Sequence, residues 1–322
     1  MKVMNVFDVE WSHSTSWKES YLECGVRDMN LQHLAQRPPD NVRWVHRQEN
    51  FDADGDNTGI TLFTDKMLRP EWRSQYLSVK SPCKVAAVLE SFGVTPQIYT
   101  YITELEDCFD FIFTYNESLL SRDPKKYKFI PGGWVCLERE AYELTESVEK
   151  SKMISMIYSE KSCNGPTTPA DERHVRHQVA KRFGDRIDLF GSGSPMGEEL
   201  MKSRTLTDYR FSVVIENTKT SVDTYYSEKI LDCFVTRNVP IYRGTSEIVN
   251  FFDKDGIILW TELDELEDIL DNLSVETYEK MKPHMENNYH LAKKYTSPDD
   301  TFCELTQRCQ LNNEYNTKEF FK

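Results

Sequence analysis

Apolar residues in the first half of the chain come in short runs, at 4–9, 59–63, 85–89, 109–115 and 127–130. Runs of this length, bounded by polar and turn-forming stretches, predict strands rather than helices. Irregular polar segments lie between them, including Arg37-Pro38-Pro39-Asp40 and residues 51–57. The pattern predicts these strands but not their order. The second half is clearer. Residues 153–158, 187–190, 211–215, 239–242 and 256–260 predict strands, and 170–183, 227–236, 261–273 and 275–295 predict helices. Val175 and Val179 share one helix face, and Ile230, Leu231, Phe234 and Val235 form an apolar stripe on the next helix. Strand and helix alternate with a period of about 25 residues, as parallel strands with helical crossovers do. The expected fold class is α/β, with two Rossmann-like domains facing a central cleft and ligands at the carboxyl ends of the strands. The expected divisions are 1–146, 147–300 and a helical tail over 301–322, with the boundary in the charged stretch 138–152.

Composition narrows the function. The 322 residues carry 39 Lys and Arg against 53 Asp and Glu, a net charge of −14. That argues against a nucleic-acid partner, whose phosphates need cations, and against a polybasic membrane-surface protein. The apolar runs are far shorter than the roughly 20 residues that span a bilayer. The first residues carry Asp8 and Glu10 and lack the basic and apolar regions of a secretory signal. The eight cysteines are scattered with no C-x-x-C pair, as expected of reduced thiols in a cytoplasmic protein.

Several motifs do not hold. Gly191, Gly193 and Gly197 are spaced one residue too widely for a dinucleotide fingerprint. Asp52, Asp54 and Asp56 begin like a calcium loop, but Asn57 and Phe63 stand where that loop needs glycine and glutamate. His174 and His177 have no third ligand nearby, so no metal site is expected.

The informative segment is 211–244. Glu216 and Asn217 follow a predicted strand, at the end where a ligand would lie. Ser227 is a candidate N-cap for the next helix. Glu228 and Lys229 fall in that helix's first turn, where free amides, the helix dipole and the lysine charge favour an anion. Glu228 can accept hydrogen bonds from a diol, although both residues also suit an ordinary first turn.

The same segment resembles the donor-binding signature of the α-1,3-fucosyltransferases, glycosyltransferase family 10. That signature reads as an apolar strand, E-N, a short loop, Y-x-T-E-K, an apolar helix and V-P-x-x-x-G. It corresponds here to Glu216-Asn217, Tyr225-Tyr226-Ser227-Glu228-Lys229 and Val239-Pro240-Ile241-Tyr242-Arg243-Gly244. Ser227 replaces the threonine but keeps the hydroxyl, and the loop after Asn217 is longer than in the family. Arg176, ahead of Phe190-Gly191, stands near the place of the family's donor-phosphate arginine. Ser159-Glu160-Lys161 does not reproduce the family's S-N pair. In the first half, Val88-Leu89-Glu90-Ser91 and Pro131-Gly132-Gly133 are similar to the family's E-S segment and later glycine turn. The likeness runs over roughly 80–265.

The resemblance implies a GT-B-like, inverting glycosyltransferase that moves L-fucose from GDP-fucose to a hydroxyl of an oligosaccharide or surface glycan. The N-terminal domain then takes the acceptor and the C-terminal domain the nucleotide sugar. Glu90 corresponds to the family's general base. Arg176 and Lys229 would stabilise the leaving diphosphate, and Glu216, Asn217, Tyr225 and Glu228 would bind or position the donor. No cofactor is required, and a divalent metal is not expected to be essential. The absence of a membrane anchor suggests a soluble bacterial or viral form. Trp11, Trp17, Trp44 and Trp72 could stack on a sugar or simply pack. Two alternatives remain: transfer from another nucleotide sugar, and a non-catalytic nucleotide- or carbohydrate-binding protein on the same scaffold.

Overall fold

Parallel strands buried on both faces favour apolar side chains at most positions, as in the fully buried run 85–88. The computed structural model describes residues 2–7, 42–47, 60–65, 68–137, 148–159, 168–191, 204–218, 224–296 and 298–322. Asp52, Asp54, Asp56, Gly193, Gly197, Glu160, Lys161, Trp11 and Trp17 lie outside these residues.

The first sheet contains β1 (Lys2–Phe7), β2 (Val42–Arg47), β3 (Ile60–Thr64), β4 (Cys83–Val88), β5 (Phe111–Thr114) and β6 (Tyr127–Phe129). Its order is β2-β1-β3-β4-β5-β6, with every pair parallel. The expected strands all appear. β2 was not expected, because its sequence Val-Arg-Trp-Val-His-Arg mixes cations with apolar residues and makes no apolar run. Helices α1 (Arg73–Ser78), α2 (Pro96–Glu104) and α3 (Glu117–Leu120) follow β3, β4 and β5. α2 starts on a proline, whose fixed φ suits the first helical turn, and buries Ile98, Tyr99 and Ile102.

The second sheet contains β7 (Lys152–Ile157), β8 (Asp188–Phe190), β9 (Tyr209–Ile215), β10 (Val239–Arg243) and β11 (Ile258–Leu259). Its order is β11-β10-β9-β7-β8, again all parallel. The accompanying helices are α4 (Arg173–Phe183), α5 (Arg204–Thr207), α6 (Glu228–Val235), α7 (Leu263–Asn272) and α8 (Val275–Ala292). Val175, Val179 and Phe183 of α4 share a core with Val213, Ile215, Trp260, Leu266 and Leu270. Each such side chain contributes about 1.5–3 kcal/mol on burial, so α4 is fixed firmly against the sheet. The chain runs from β7 out to β8 and then back to β9 on the other side of β7. This reversal places a crevice beyond the carboxyl ends of β7 and β9.

Gly191 follows β8 with φ +105°, and a Cβ there would lie 2.0 Å from the Tyr158 carbonyl oxygen. Only glycine allows that approach.

The chain forms two compact units. One comprises Met1–Gly132 with Ser297–Phe321, and the other Gly133–Thr296. The division falls ahead of the charged stretch, of which residues 138–147 lie outside the described set. Helices α9 (Pro298–Leu311) and α10 (Lys318–Phe321) carry the tail back onto the first unit. There Phe302 packs edge-on to Phe113, Phe321 edge-on to Phe129, and Lys318 pairs with Glu117. Among the described residues, no helix is long and apolar enough to cross a membrane.

Candidate active site

The end of β9 determines the arrangement of the second unit. Its last residue is Ile215, and Glu216 and Asn217 follow directly. Both belong to the set expected to bind donor. Each takes hold of a side chain or cap that carries a cation, and the two cations come from different helices.

Glu216 faces inward and is only 1% exposed. Its Oε1 accepts the Ser227 amide at 2.9 Å, and its Oε2 accepts the Ser227 hydroxyl at 2.6 Å. Ser227 is the N-cap of α6, as expected, with its Oγ accepting the Lys229 amide. The same Oγ accepts Lys229 Nζ at 3.0 Å. Nζ lies 3.1 Å from Glu228 Oε1 and 3.7 Å from Glu216 Oε2. The Lys229 side chain keeps 24% of its surface exposed. A buried carboxylate thus anchors the first turn of α6, and the turn presents a lysine. Gly244 leaves room here, because a Cβ on it would lie 2.2 Å from the Tyr242 hydroxyl. That buried hydroxyl sits 3.5 Å from Glu216 Oε1.

Arg176 projects from α4 to the same strand end. Its Nε and Nη2 donate to the Ile215 carbonyl at 3.1 and 2.6 Å, and Nη2 also donates to Asn217 Oδ1 at 2.7 Å. Nη1 has no partner among the described residues. An arginine fork held on two nitrogens, with the third left over, is pre-organised for an anion. The backbone repeats the link, with the Glu172 amide donating to the Asn217 carbonyl at 2.9 Å. Glu172 in turn pairs with Arg243 at 2.8 Å.

Electrostatics follow from burial. Desolvation raises the Glu216 carboxyl above its ordinary value, and the charge of Lys229 opposes it. Desolvation lowers the Arg176 guanidinium, opposed by Glu216 and Glu228, and Tyr225 also acts on it. Tyr225 is itself buried. Glu216, Asn217, Glu228 and Lys229 therefore lie together at the strand end their spacing placed them at, and Arg176 and Tyr225, which only the resemblance brought in, join them.

Glu90 belongs to the first unit, two residues past β4, and is half-buried. Its Oε1 accepts the Ser91 amide at 2.8 Å. Oε2 has no partner among the described residues. Asp65, Tyr99 and Tyr115 all bond the backbone around Glu90, and no sequence motif pointed to them. Arg173 was also missed. It grips the buried Asp171 through Nε and Nη2 at 2.9 and 2.8 Å, one helical turn before Arg176. The i, i+3 spacing of two arginines was the available signal.

Asp253, Asp255 and His284 also converge. The Asp253 Oδ2 atom is already bonded to His284 Nδ1 at 2.8 Å and Asn287 Nδ2 at 3.0 Å. Asp253 thus caps a short turn and ties it to the helix that carries His284, and Asp255 pairs with Lys254.

No family model matches the chain, and no curated protein matches it. Solved structures do. An α1,3-fucosyltransferase structure aligns over 98% of this chain and 93% of its own, at 13% identity and a TM-score of 0.55. An α1,3-fucosyltransferase structure with GDP aligns over 89% and 82%, at 14% identity and 0.51. An α-glucosyltransferase in complex with UDP-glucose and DNA containing an abasic site aligns over 95% and 98%, at 10% identity and 0.55. The fold is GT-B-like. In this GT-B-like chain the two cations lie in the second unit, beyond the carboxyl end of β9. The half-free carboxylate lies in the first unit, beyond β4.

Proposed function

We propose that the protein is an inverting glycosyltransferase that uses a nucleoside-diphosphate sugar, with GDP-fucose as donor and a glycan hydroxyl as acceptor. The observation that carries this reading is the pairing at β9. Consecutive residues Glu216 and Asn217 orient Lys229 and Arg176, and each cation keeps capacity for an anion.

In the reaction, the acceptor oxygen attacks the anomeric carbon of the donor sugar. Its proton passes to Glu90 Oε2, the carbon–oxygen bond to the diphosphate breaks, and the electron pair leaves with the diphosphate. General-base assistance of this kind is worth about 10²–10⁴-fold. Arg176 and Lys229 meet the charge that grows on the leaving group, and fixed donors at such a position are among the strongest catalytic contributions. The positive end of α6 adds to them. Glu228, at the head of α6, suits the ribose diol. Tyr225, beside Arg176, suits the wall of the donor pocket. In this reading two cations and a helix terminus take the part a divalent ion would otherwise play at the leaving diphosphate. A pure binding protein needs no base.

A UDP-sugar donor is the second reading. It is favoured by the α-glucosyltransferase structure, whose TM-score equals that of the first fucosyltransferase structure. The DNA in that complex is a poor guide to acceptor here, because a chain of net charge −14 repels polyphosphate. Thermal shift with GDP, UDP, CDP and ADP separates the readings. A nucleotide at a hundred times its Kd adds about 2.7 kcal/mol. GDP alone raising the midpoint supports the GDP-sugar reading, and UDP alone raising it replaces GDP with UDP.

A further inference from the structure

Three neighbouring strands of the first sheet end side by side, and all three ends meet at Glu90. Asp65 follows β3, Glu90 lies just past β4, and Tyr115 follows β5. From one side, Asp65 Oδ1 accepts the amides of Leu89 and Glu90 at 2.8 and 3.0 Å. From the other side, the Tyr115 hydroxyl donates to the Glu90 carbonyl at 3.1 Å, and the Tyr99 hydroxyl of α2 donates to it at 2.6 Å. The two tyrosine hydroxyls also touch each other. Glu90 is therefore fixed at its amide, its carbonyl and one carboxylate oxygen.

Asp65 adopts φ +30°, in the left-handed region, although it is not glycine. Such a backbone conformation is strained and persists only where its surroundings hold it there. Aspartate is among the few residue types that tolerate the region. Here the strained residue is the one whose carboxylate reaches across to the next strand end.

We propose that Asp65 is the positioning residue of Glu90, acting through the Leu89 and Glu90 amides while Tyr99 and Tyr115 fix the opposite side. This rests on the reading of Glu90 as the base. A base must sit within hydrogen-bond reach of the proton it removes, and misplacement by about 1 Å can cost 10²-fold in rate. Asp65 itself touches no substrate.

The test uses the full chain, with GDP-fucose as probe and GDP release to water as readout. Amide hydrogen exchange at Leu89 and Glu90 is measured in parallel. Asp65→Ala should lower kcat by about 10²-fold while leaving donor KM nearly unchanged, since the donor cations belong to the other unit. Exchange at both amides should speed up. Asp65→Asn keeps an oxygen acceptor and tolerates the backbone, so it should restore both kcat and protection. Tyr115→Phe gives a second route if Asp65→Ala does not fold, and should lower kcat with KM held. The proposal is overturned if Asp65→Ala keeps wild-type exchange. It is also overturned if Asp65→Asn loses as much as Asp65→Ala, or if exchange loosens with kcat intact while Glu90→Gln is inactive. If Glu90→Gln turns over as well as wild type, the base reading fails instead, and if the wild type releases no GDP, the GDP-fucose reading fails. The exchange data then still decide whether Asp65 holds Glu90.

Discussion

The Glu216 carboxylate accepts both the amide and the hydroxyl of Ser227, at 2.9 and 2.6 Å. A carboxylate at the end of one strand therefore caps the residue that caps the following helix. The placement of Lys229 and local stability are coupled through it, because the same Ser227 hydroxyl receives the Lys229 ammonium.

Glu216→Ala should cost about 3–5 kcal/mol, the usual loss when one partner of a buried charged network is removed. Glu216→Gln keeps one good acceptor for Ser227 and should cost about 1 kcal/mol. Urea midpoints of the two variants check the ranking. GDP affinity should fall in the alanine variant and be mostly kept in the glutamine variant.

Arg176→Lys should weaken GDP binding about tenfold or more, despite the conserved charge. A single ammonium cannot reproduce the fork that spans Ile215 and Asn217 and still offer Nη1. Lys229→Ala should weaken GDP binding as well. Calorimetric titration with GDP reads both. Unchanged affinity in both variants would remove the proposed donor site.

Lys150 provides a pH-dependent prediction. Its ammonium is buried and donates to the carbonyls of Leu206, Thr207 and Thr236. Burial outweighs these acceptors and brings the pKa down to about 7, from 10.5. Between those values the unfolded chain binds more protons than the folded one, so stability rises with pH. The cost of burying the charge is complete below about pH 7 and is relieved as pH climbs towards 10.5. Moving from pH 7 to pH 9 should therefore add about 1–3 kcal/mol through this group. Lys150→Met should flatten that rise, and the difference between the two denaturation curves isolates it from other titrating groups.

Phe321 tests the role of the tail. It is fully buried and packs edge-on against Phe129 of β6. Phe321→Ala should cost about 3–5 kcal/mol, seen in thermal unfolding of the full chain. GDP affinity should hold, because the proposed donor residues belong to the other unit.

Much of the local structure of the candidate site was legible in advance. The N-cap at Ser227, the first-turn position of Lys229 and the place of Glu216 and Asn217 at a strand end all depend on spacing within a few residues. The α/β alternation was legible for the same reason, since each run reports its own period. β2 was not, because its Val-Arg-Trp-Val-His-Arg segment interrupts its apolar residues with cations, and among the described strands it pairs with β1. The inward direction of Glu216 was not legible either. A glutamate after a strand reads as ligand-facing until the partner at Ser227 is known.

The sequence by itself determined the local chemistry: which residues cap, which carry charge, and which runs become strands. These follow from interactions between residues a turn or a strand apart. Tertiary structure decided that Asp65, Glu90 and Tyr115 meet, and that Arg176 and Lys229 flank one strand end. Those meetings depend on strand order, β3-β4-β5 in one sheet and β9-β7-β8 in the other. Apolar runs of similar length and composition can be ordered in many ways, and only packing the crossovers over a shared core selects one.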